Sequence, residues 1–194
     1  MTEAEYFGDW YKCIDKLALA KVKKQLDILY KTKLICPHYI DVFKAFKLCD
    51  YNNLSVVMLG MDPYPQKDVA TGLAFANKDK VESPSLKVIQ DTLGYNINPT
   101  LESWARQGVL LLNSALTVEM NKVGSHIMMW RPFISSFLKG LGECWSNRTD
   151  AMRYSSIEDI YQMPGGNELY VRTLPLLPTI TKLAKITDTL VDCY

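Results

Sequence analysis

The sequence predicts an α/β fold in which helices flank a mostly parallel sheet. Two uninterrupted apolar segments, 56–59 and 109–112, have the composition of strands that are buried on both faces of such a sheet. Helical periodicity dominates several of the segments around them. A polar residue follows each apolar segment, Asp62 after the first and Asn113 after the second. Because ligands of open α/β sheets bind at the carboxyl ends of the strands, these two residues are the first candidates for a functional site.

The composition is that of a globular protein. The chain has 194 residues, 48% hydrophobic and 22% charged, and we expect a single domain over 1–194. A net charge of +1 favours no class of partner, because a basic groove can be balanced by acids elsewhere. Five scattered cysteines, without a Cys-x-x-Cys pair, indicate neither a disulfide framework nor a zinc site. The N-terminus does not resemble a signal peptide and no apolar run has membrane-spanning length, so we expect a cytoplasmic protein, or a nuclear one in a eukaryotic host, without membrane association.

Six segments carry apolar residues at helical spacing. The first also carries several lysines, which we interpret as a solvated face, with phosphate binding as the lesser alternative. Ser85 and Thr100 are predicted to cap the third and fourth helices. The predicted helices are 9–31, 39–48, 86–93, 101–107, 132–141 and 179–191.

Two shorter patterns predict small strands. The segment 71–76 is short and apolar, and it is expected to lie beside the first buried strand. A second hint of a strand occurs at 169–171, within a region that otherwise shows no clean period from residue 144 onward. The sheet is therefore better defined in the first three quarters of the chain than in the last.

Asp62 is the strongest candidate for chemistry in the first loop. Pro63 and Pro65 stiffen this loop, so that Asp62 and Tyr64 are held in place. A buried aspartate can orient or partly deprotonate a water, and burial raises its pKa toward that task. The alternative is a turn aspartate that binds nearby backbone amides, which is the commoner situation for a lone aspartate.

Three further residues fit a pocket for a flat polar ligand. Asn113 carries both a donor and an acceptor and can bind an amide-like edge, although an asparagine bound to loop backbone is an equal alternative. Phe75 can stack on a flat ring, or belong to the core as most such phenylalanines do. Tyr64, between two prolines, is expected to line a pocket wall.

Several motifs occur in order between about residues 35 and 141. Together they resemble the family-1 uracil-DNA glycosylases, whose loops contain Gly-Gln-Asp-Pro-Tyr-His/Pro and Gly-Leu-Ala-Phe-Ser. No single tetrapeptide among them is specific for this family, whereas the ordered set of motifs is. The motifs in this chain are Gly60-Met-Asp-Pro-Tyr-Pro65, Gly72-Leu-Ala-Phe-Ala76, Ser83-Pro-Ser-Leu86, the segment from Trp104 to Val118, Ser125-His126 and Trp130-x-x-Phe133.

The resemblance implies both a fold and an activity. The fold is a central, mostly parallel four-stranded sheet flanked by helices. The activity is hydrolysis of the N-glycosidic bond of deoxyuridine, flipped out of DNA, which releases uracil without a metal or cofactor. Uracil-containing DNA is then the partner, and the protein acts as a monomer.

The resemblance also implies roles for the candidate residues. Asp62 would stabilise the oxocarbenium-like sugar and position the attacking water. Phe75 would stack on uracil, and Asn113 would bind its polar edge and so distinguish it from cytosine. Tyr64 would crowd the ring position that carries a methyl group in thymine. Ser85 would bind a DNA phosphate, so affinity should fall with salt.

The chain departs from the family pattern at two places. Met61 replaces a glutamine in the substrate pocket, with a modest expected effect because backbone groups do much of that position's work. The family also has a further buried strand and a His-Pro-Ser-Pro-type loop that carries a charge-stabilising histidine and a wedge for the vacated base stack. No histidine follows His126 in this sequence. Loss of one such donor costs about 10²–10³ in rate.

Two explanations for residues 144–194 follow from this departure. The segment is either a divergent tail of the domain, with 174–178 where the histidine loop should be, or the product of a shifted reading frame.

The predicted function is a uracil-DNA glycosylase whose turnover the missing histidine reduces. The alternative is a catalytically impaired glycosylase-like protein that binds DNA or a protein partner, and a third is an α/β domain with neither property.

Overall fold

A computed structural model describes residues 1–78, 83–94 and 96–146, and the backbone of 170–173. The predictions for 174–178 and 179–191 lie outside these residues. The helices are α1 (Glu3–Phe7), α2 (Lys16–Thr32), α3 (Lys44–Leu48), α4 (Pro84–Leu93), α5 (Glu102–Arg106) and α6 (Ile127–Ser146), with short 3₁₀ helices at Gly8–Lys12, Tyr39–Asp41 and Tyr51–Asn53. The strands are β1 (Ile35–Cys36), β2 (Val56–Gly60), β3 (Val109–Asn113), β4 (Val118–Glu119) and β5 (Tyr170–Thr173).

The predicted parallel pair forms the centre of the main sheet. Strands β2 and β3 are parallel, in a register that runs from Val56 opposite Val109 to Gly60 opposite Asn113. Strand β5 pairs antiparallel with the other edge of β2, and β1 and β4 form a separate antiparallel pair. The α/β class with a parallel pair flanked by helices is confirmed. Of the four strands expected in one sheet, the described residues contain three, and the third is antiparallel.

The apolar composition of the two central strands reflects burial on both faces. Met58 in β2 and the three leucines of β3, 110–112, are 0% exposed. At about 25 cal/mol per Å² of apolar surface, such residues supply much of the free energy that holds the sheet edge in place. Polar side chains are therefore tolerated only where the strands end, at the edge that carries the candidate site.

An aromatic cluster attaches the N-terminal segment to α6. The rings of Phe46 and Phe137 lie edge to face with centroids 5.0 Å apart, and Trp10 and Phe46 do so at 5.8 Å. The indole Nε1 of Trp10 donates to the carbonyl of Cys49 at 2.8 Å, so the buried ring has no unpaired donor. Edge-to-face pairs contribute about 0.5–1.5 kcal/mol each beyond burial.

Three helices differ in extent from the predictions. The segment 9–31 is a 3₁₀ helix followed by α2, because Asp15 caps α2 through bonds from the amides of Leu17 and Ala18. The segment 39–48 similarly divides into a 3₁₀ helix and α3. Helix α6 is longer than predicted and contains Pro132 in its interior. None of the helices in the described ranges is long and apolar enough to cross a bilayer.

The predicted strand at 71–76 is wrong. The segment is a series of bends, in which Gly72 has φ +85° and Phe75 has φ +65°. A Cβ on Gly72 would lie 1.9 Å from the carbonyl oxygen of Asp41, so the backbone here approaches the 39–41 turn too closely for a side chain. One bond from the amide of Ala74 to the carbonyl of Leu111 keeps the segment against β3 without forming a ladder.

Candidate active site

The site lies where β2 and β3 end side by side. Gly60 is the register partner of Asn113, and the amide and hydroxyl of Ser114 both donate to the Gly60 carbonyl, at 2.7 and 2.9 Å. The amide of Ala115 then donates to the carbonyl of Met61 at 2.9 Å. The two chains thus stay paired beyond the strands, which fixes the loop that follows β2 relative to Asn113. Met61 is half-buried in this loop.

Asn113 and Phe75 face the same point beside Gly60. A Cβ built on Gly60 would lie 2.4 Å from Asn113 Oδ1 and 3.3 Å from Phe75 Cζ. Only a glycine therefore leaves room for both groups. Asn113 is 6% exposed, and its side chain makes no hydrogen bond to any residue that the structure describes. Its donor and its acceptor are therefore both available to a group that reaches this point.

Asp62 lies in the same loop, half-buried and two residues beyond Gly60. Its Oδ2 accepts a hydrogen bond from the amide of Gly124 at 2.6 Å. Burial raises the pKa of the Asp62 carboxyl above its ordinary value, and the Gly124 amide lowers it in part. The aspartate does bind a backbone amide, as the turn interpretation expected, but the donor comes from a distant loop rather than from its own turn.

Tyr64 fixes the backbone of Phe75. Its hydroxyl lies 3.2 Å from the Phe75 carbonyl oxygen and also contacts Ser83 Oγ. Because a phenol has one proton, the simplest arrangement has Tyr64 donate to the carbonyl and accept from Ser83. The Tyr64 side chain packs against a small buried cluster around Val118 and Ala70. Tyr64 therefore lies beside the predicted stacking residue, and its role as a pocket wall stays a prediction.

Ser83, and not Ser85, caps helix α4. The Ser83 hydroxyl accepts from the amide of Leu86 at 3.4 Å, while Ser85 is half-buried in the first turn of the helix. The capping prediction for Ser85 is wrong because Pro84 occupies the first helical position and moves the cap one residue before it. Thr100 is likewise not a cap, since Leu101 with φ +50° precedes α5.

A further loop, to which the sequence pattern assigned no role, lies against Asp62. Residues 119–126 bring Gly124 to Asp62, and the loop is held at its base by three buried side chains. Trp130 Nε1 donates to Thr117 Oγ1 at 2.7 Å, and that oxygen lies 2.9 Å from His126 Nδ1. Burial lowers the pKa of His126, so the ring is neutral near pH 7. The Ser125-His126 and Trp130 motifs were the available signal for this loop.

No three His, Cys, Asp or Glu side chains in the described part of the chain are grouped so that they could hold a metal ion. The chemistry available at the sheet edge is that of a carboxylate, a carboxamide and an aromatic ring.

Curated proteins with similar sequences are named uracil-DNA glycosylases. One from Fusobacterium nucleatum is 37% identical over 148 residues, which cover 70% of this chain and 66% of that protein. One from Mycoplasmopsis pulmonis is 47% identical over 103 residues, which cover 50% of this chain and 47% of that protein. This chain thus spans between about half and just under two thirds of these relatives. No protein-family model matches the chain.

Solved structures with similar folds carry the same name. The crystal structure of mimivirus uracil-DNA glycosylase superposes with a TM-score of 0.55 at 22% identity, over 74% of this chain and 63% of that one. The UNG structure from Nitratifractor salsuginis gives a TM-score of 0.52 at 23% identity, over 73% of this chain and 74% of that one. At these identities the two structures establish the likeness of fold.

Proposed function

We propose that this chain, which belongs to the uracil-DNA glycosylase family over its matched residues, hydrolyses the N-glycosidic bond of deoxyuridine in DNA and releases uracil. The observation that carries the proposal is the Asn113 amide, buried beside Phe75 with no hydrogen bond to a described residue. A bound ligand with matching polar groups would occupy both the donor and the acceptor of this amide. The chemistry needs no metal or cofactor.

Asn113 supplies the donor and acceptor that uracil requires. Its Oδ1 accepts from the N3–H of uracil while its Nδ2 donates to O4. Cytosine presents an acceptor and an amino group at these positions, so both contacts become unfavourable unless the amide reverses. The space kept open by Gly60 puts Oδ1 next to the Phe75 ring edge, which suits a base that stacks on Phe75. In this proposal Tyr64 excludes thymine by crowding the C5 position, where thymine carries a methyl group.

Asp62 acts on the sugar rather than on the base. As the glycosidic bond lengthens, positive charge develops on the deoxyribose, and an ionised carboxylate near the ring stabilises it. The same carboxylate orients the water that attacks the anomeric carbon. Because burial raises the pKa of Asp62, the carboxylate is less well hydrated than an exposed one and interacts more strongly with the developing charge.

The DNA reaches this pocket with the target nucleotide flipped out of the stack. In this proposal Ser85, in the first turn of α4, binds a DNA phosphate, and Met61, half-buried in the loop after β2, contacts the substrate. Phosphate contacts of this kind make binding weaken as salt rises. We expect the protein to act as a monomer in the cytoplasm, or in the nucleus of a eukaryotic host.

Binding without turnover is the second candidate. The chain has two histidines, His38 and His126, and the latter is engaged by Thr117 at the base of the loop. A histidine that stabilises negative charge on the departing uracil therefore has no counterpart among the described residues. Loss of one such donor costs about 10²–10³ in rate, which slows a glycosylase without preventing binding.

The test is a single-stranded oligonucleotide with one uracil, incubated with the protein and then treated with alkali. Strand scission by the native chain that disappears in Asp62→Asn supports the glycosylase. The matched control is Asp68→Asn, an exposed aspartate six residues further along the same loop, which should cleave as the native protein does. Salt-sensitive binding without scission supports the second candidate, and neither binding nor scission contradicts both.

A further inference from the structure

The carboxylate of Asp62 receives its hydrogen bond from a backbone amide on a separate loop. Gly124 donates to Oδ2 at 2.6 Å, a short distance typical of a bond to a charged acceptor. Among the described residues no other group donates to this carboxylate, so Oδ1 is left for substrate or water. The contact joins residues that are 62 positions apart in the chain.

Hydrogen bonds and backbone conformation in this loop fix the direction in which the Gly124 amide points. Gly124 has φ +74°, a conformation that residues with side chains rarely adopt, and its carbonyl accepts from the amide of Ile127 at 3.2 Å. Asn121, with φ +62°, donates its amide to the carbonyl of Pro65 at 3.0 Å, which ties the loop to the end of the Asp62 loop. Ser125 Oγ accepts from the amide of Glu119 at 2.9 Å and closes the turn.

Charged groups on the loop are neutralised by one another. Glu119 forms ion pairs with Lys33 at 2.7 Å and with Lys122 at 2.5 Å, and these lysines hold the pKa of Glu119 at about 2. The loop also carries His126, whose pKa is lowered by burial. Around neutral pH neither Glu119 nor His126 changes charge. Burial and the Gly124 amide are then the influences that set the ionisation of Asp62.

We infer that the backbone amide of Gly124 is a positioning group for the reaction, which holds the Asp62 carboxylate ionised and turns Oδ1 toward the pocket. The inference deepens the proposed function and rests on it for its kinetic consequence. Gly124 does not touch substrate in this role; it acts through Asp62. A group with this role must change both the ionisation of Asp62 and the rate, without affecting the binding of uracil at Asn113.

The test replaces residue 124 by glycolic acid through nonsense suppression, which exchanges the amide N–H for an ester oxygen and keeps the glycine backbone. The matched control is the same replacement at Gly8, whose amide donates to the carbonyl of Ala4 in the N-terminal helix. Both proteins lose one backbone hydrogen bond. They differ in whether that bond ends at Asp62.

We expect the ester at 124 to raise the pKa of Asp62, measured by ¹³C-carboxyl NMR titration, because the bond to the charged form is lost. The acid limb of the kcat profile should move to higher pH and kcat should fall roughly tenfold or more, with KM nearly unchanged. The ester at Gly8 should change none of these. An unaltered Asp62 titration in the ester at 124 overturns the inference. If the native chain releases no uracil, the proposed function fails, and the titration still decides the role of Gly124.

Discussion

Asn113 Oδ1 lies within 2.4 Å of the point that a Cβ on Gly60 would occupy, directly across the parallel register of β2 and β3. The carboxamide thus fills the space that the absent side chain leaves. The position of the carboxamide depends on this pairing of a glycine with an asparagine at the ends of adjacent strands.

Gly60→Ala should abolish function with little loss of stability. The new methyl group would displace the end of the Asn113 side chain, which can move at small cost, but the amide would then leave the position in which we propose that it binds uracil. We expect uracil release to fall at least 100-fold while the melting temperature changes by only a few degrees. Equal activity in the variant would show that uracil release does not depend on the position of the Asn113 amide seen in the structure.

Asn113→Leu should abolish uracil release without lowering the stability of the protein. The amide has no hydrogen bond to a described residue, so its replacement by an apolar side chain of similar volume breaks no bond and adds apolar surface to a residue that is only 6% exposed. We expect urea denaturation to give an unfolding free energy that is unchanged or higher by about 1 kcal/mol, with uracil release lost. A large destabilisation would mean that the Asn113 side chain makes a hydrogen bond that stabilises the loop, and it would contradict this prediction.

Tyr64→Phe should loosen the backbone of Phe75. The variant loses the bond to the Phe75 carbonyl and the contact with Ser83, at a cost of about 1–2 kcal/mol in unfolding free energy. Tyr39→Phe is the matched control, because its hydroxyl binds Asp27 at the exposed surface at 3.1 Å. The control should lose no more than about 0.5 kcal/mol. Equal losses in the two variants would contradict a buried role for the Tyr64 hydroxyl.

Asp62→Asn should be more stable than the native protein at neutral pH. The folded-state pKa of Asp62 is raised above the ordinary 3.8, so ionisation favours the unfolded chain. Well below pH 3.8 the carboxyl is protonated in both states and the two proteins should differ little. As pH rises from 3.8 to the raised folded-state pKa, the native protein loses stability relative to the variant, and above that pKa the difference is constant. Thermal unfolding across this range checks the sign, and a variant that is less stable at pH 7 contradicts it.

The sequence predicted the parts of the site that depend on local chemistry. Continuous apolar runs identified the two parallel strands, and the polar residues that follow them placed Asp62 and Asn113 at one edge, as the structure confirms. The likeness to uracil-DNA glycosylases is also confirmed by the comparisons. The roles of Asp62, Asn113, Phe75, Tyr64, Met61 and Ser85 stay predictions.

The parts that the sequence missed depend on distant contacts. The bends at 71–76 follow from the approach of Gly72 to Asp41, which no local pattern reveals. The contact of Gly124 with Asp62 spans 62 residues, and the direction of β5 depends on its partner rather than on its own residues. Helix α4 begins at Pro84, so its cap is Ser83. Pro84 was a local signal for this cap, but the prediction gave more weight to Ser85.

Binding of uracil by Asn113 can be measured by an NMR titration of its ¹⁵N-labelled side-chain amide with free uracil and with free cytosine. We expect uracil to shift the Asn113 Nδ2 resonances in a saturable way, cytosine to leave them in place, and the uracil response to be lost in Gly60→Ala. An identical response to both bases, or none to uracil, would contradict this expectation.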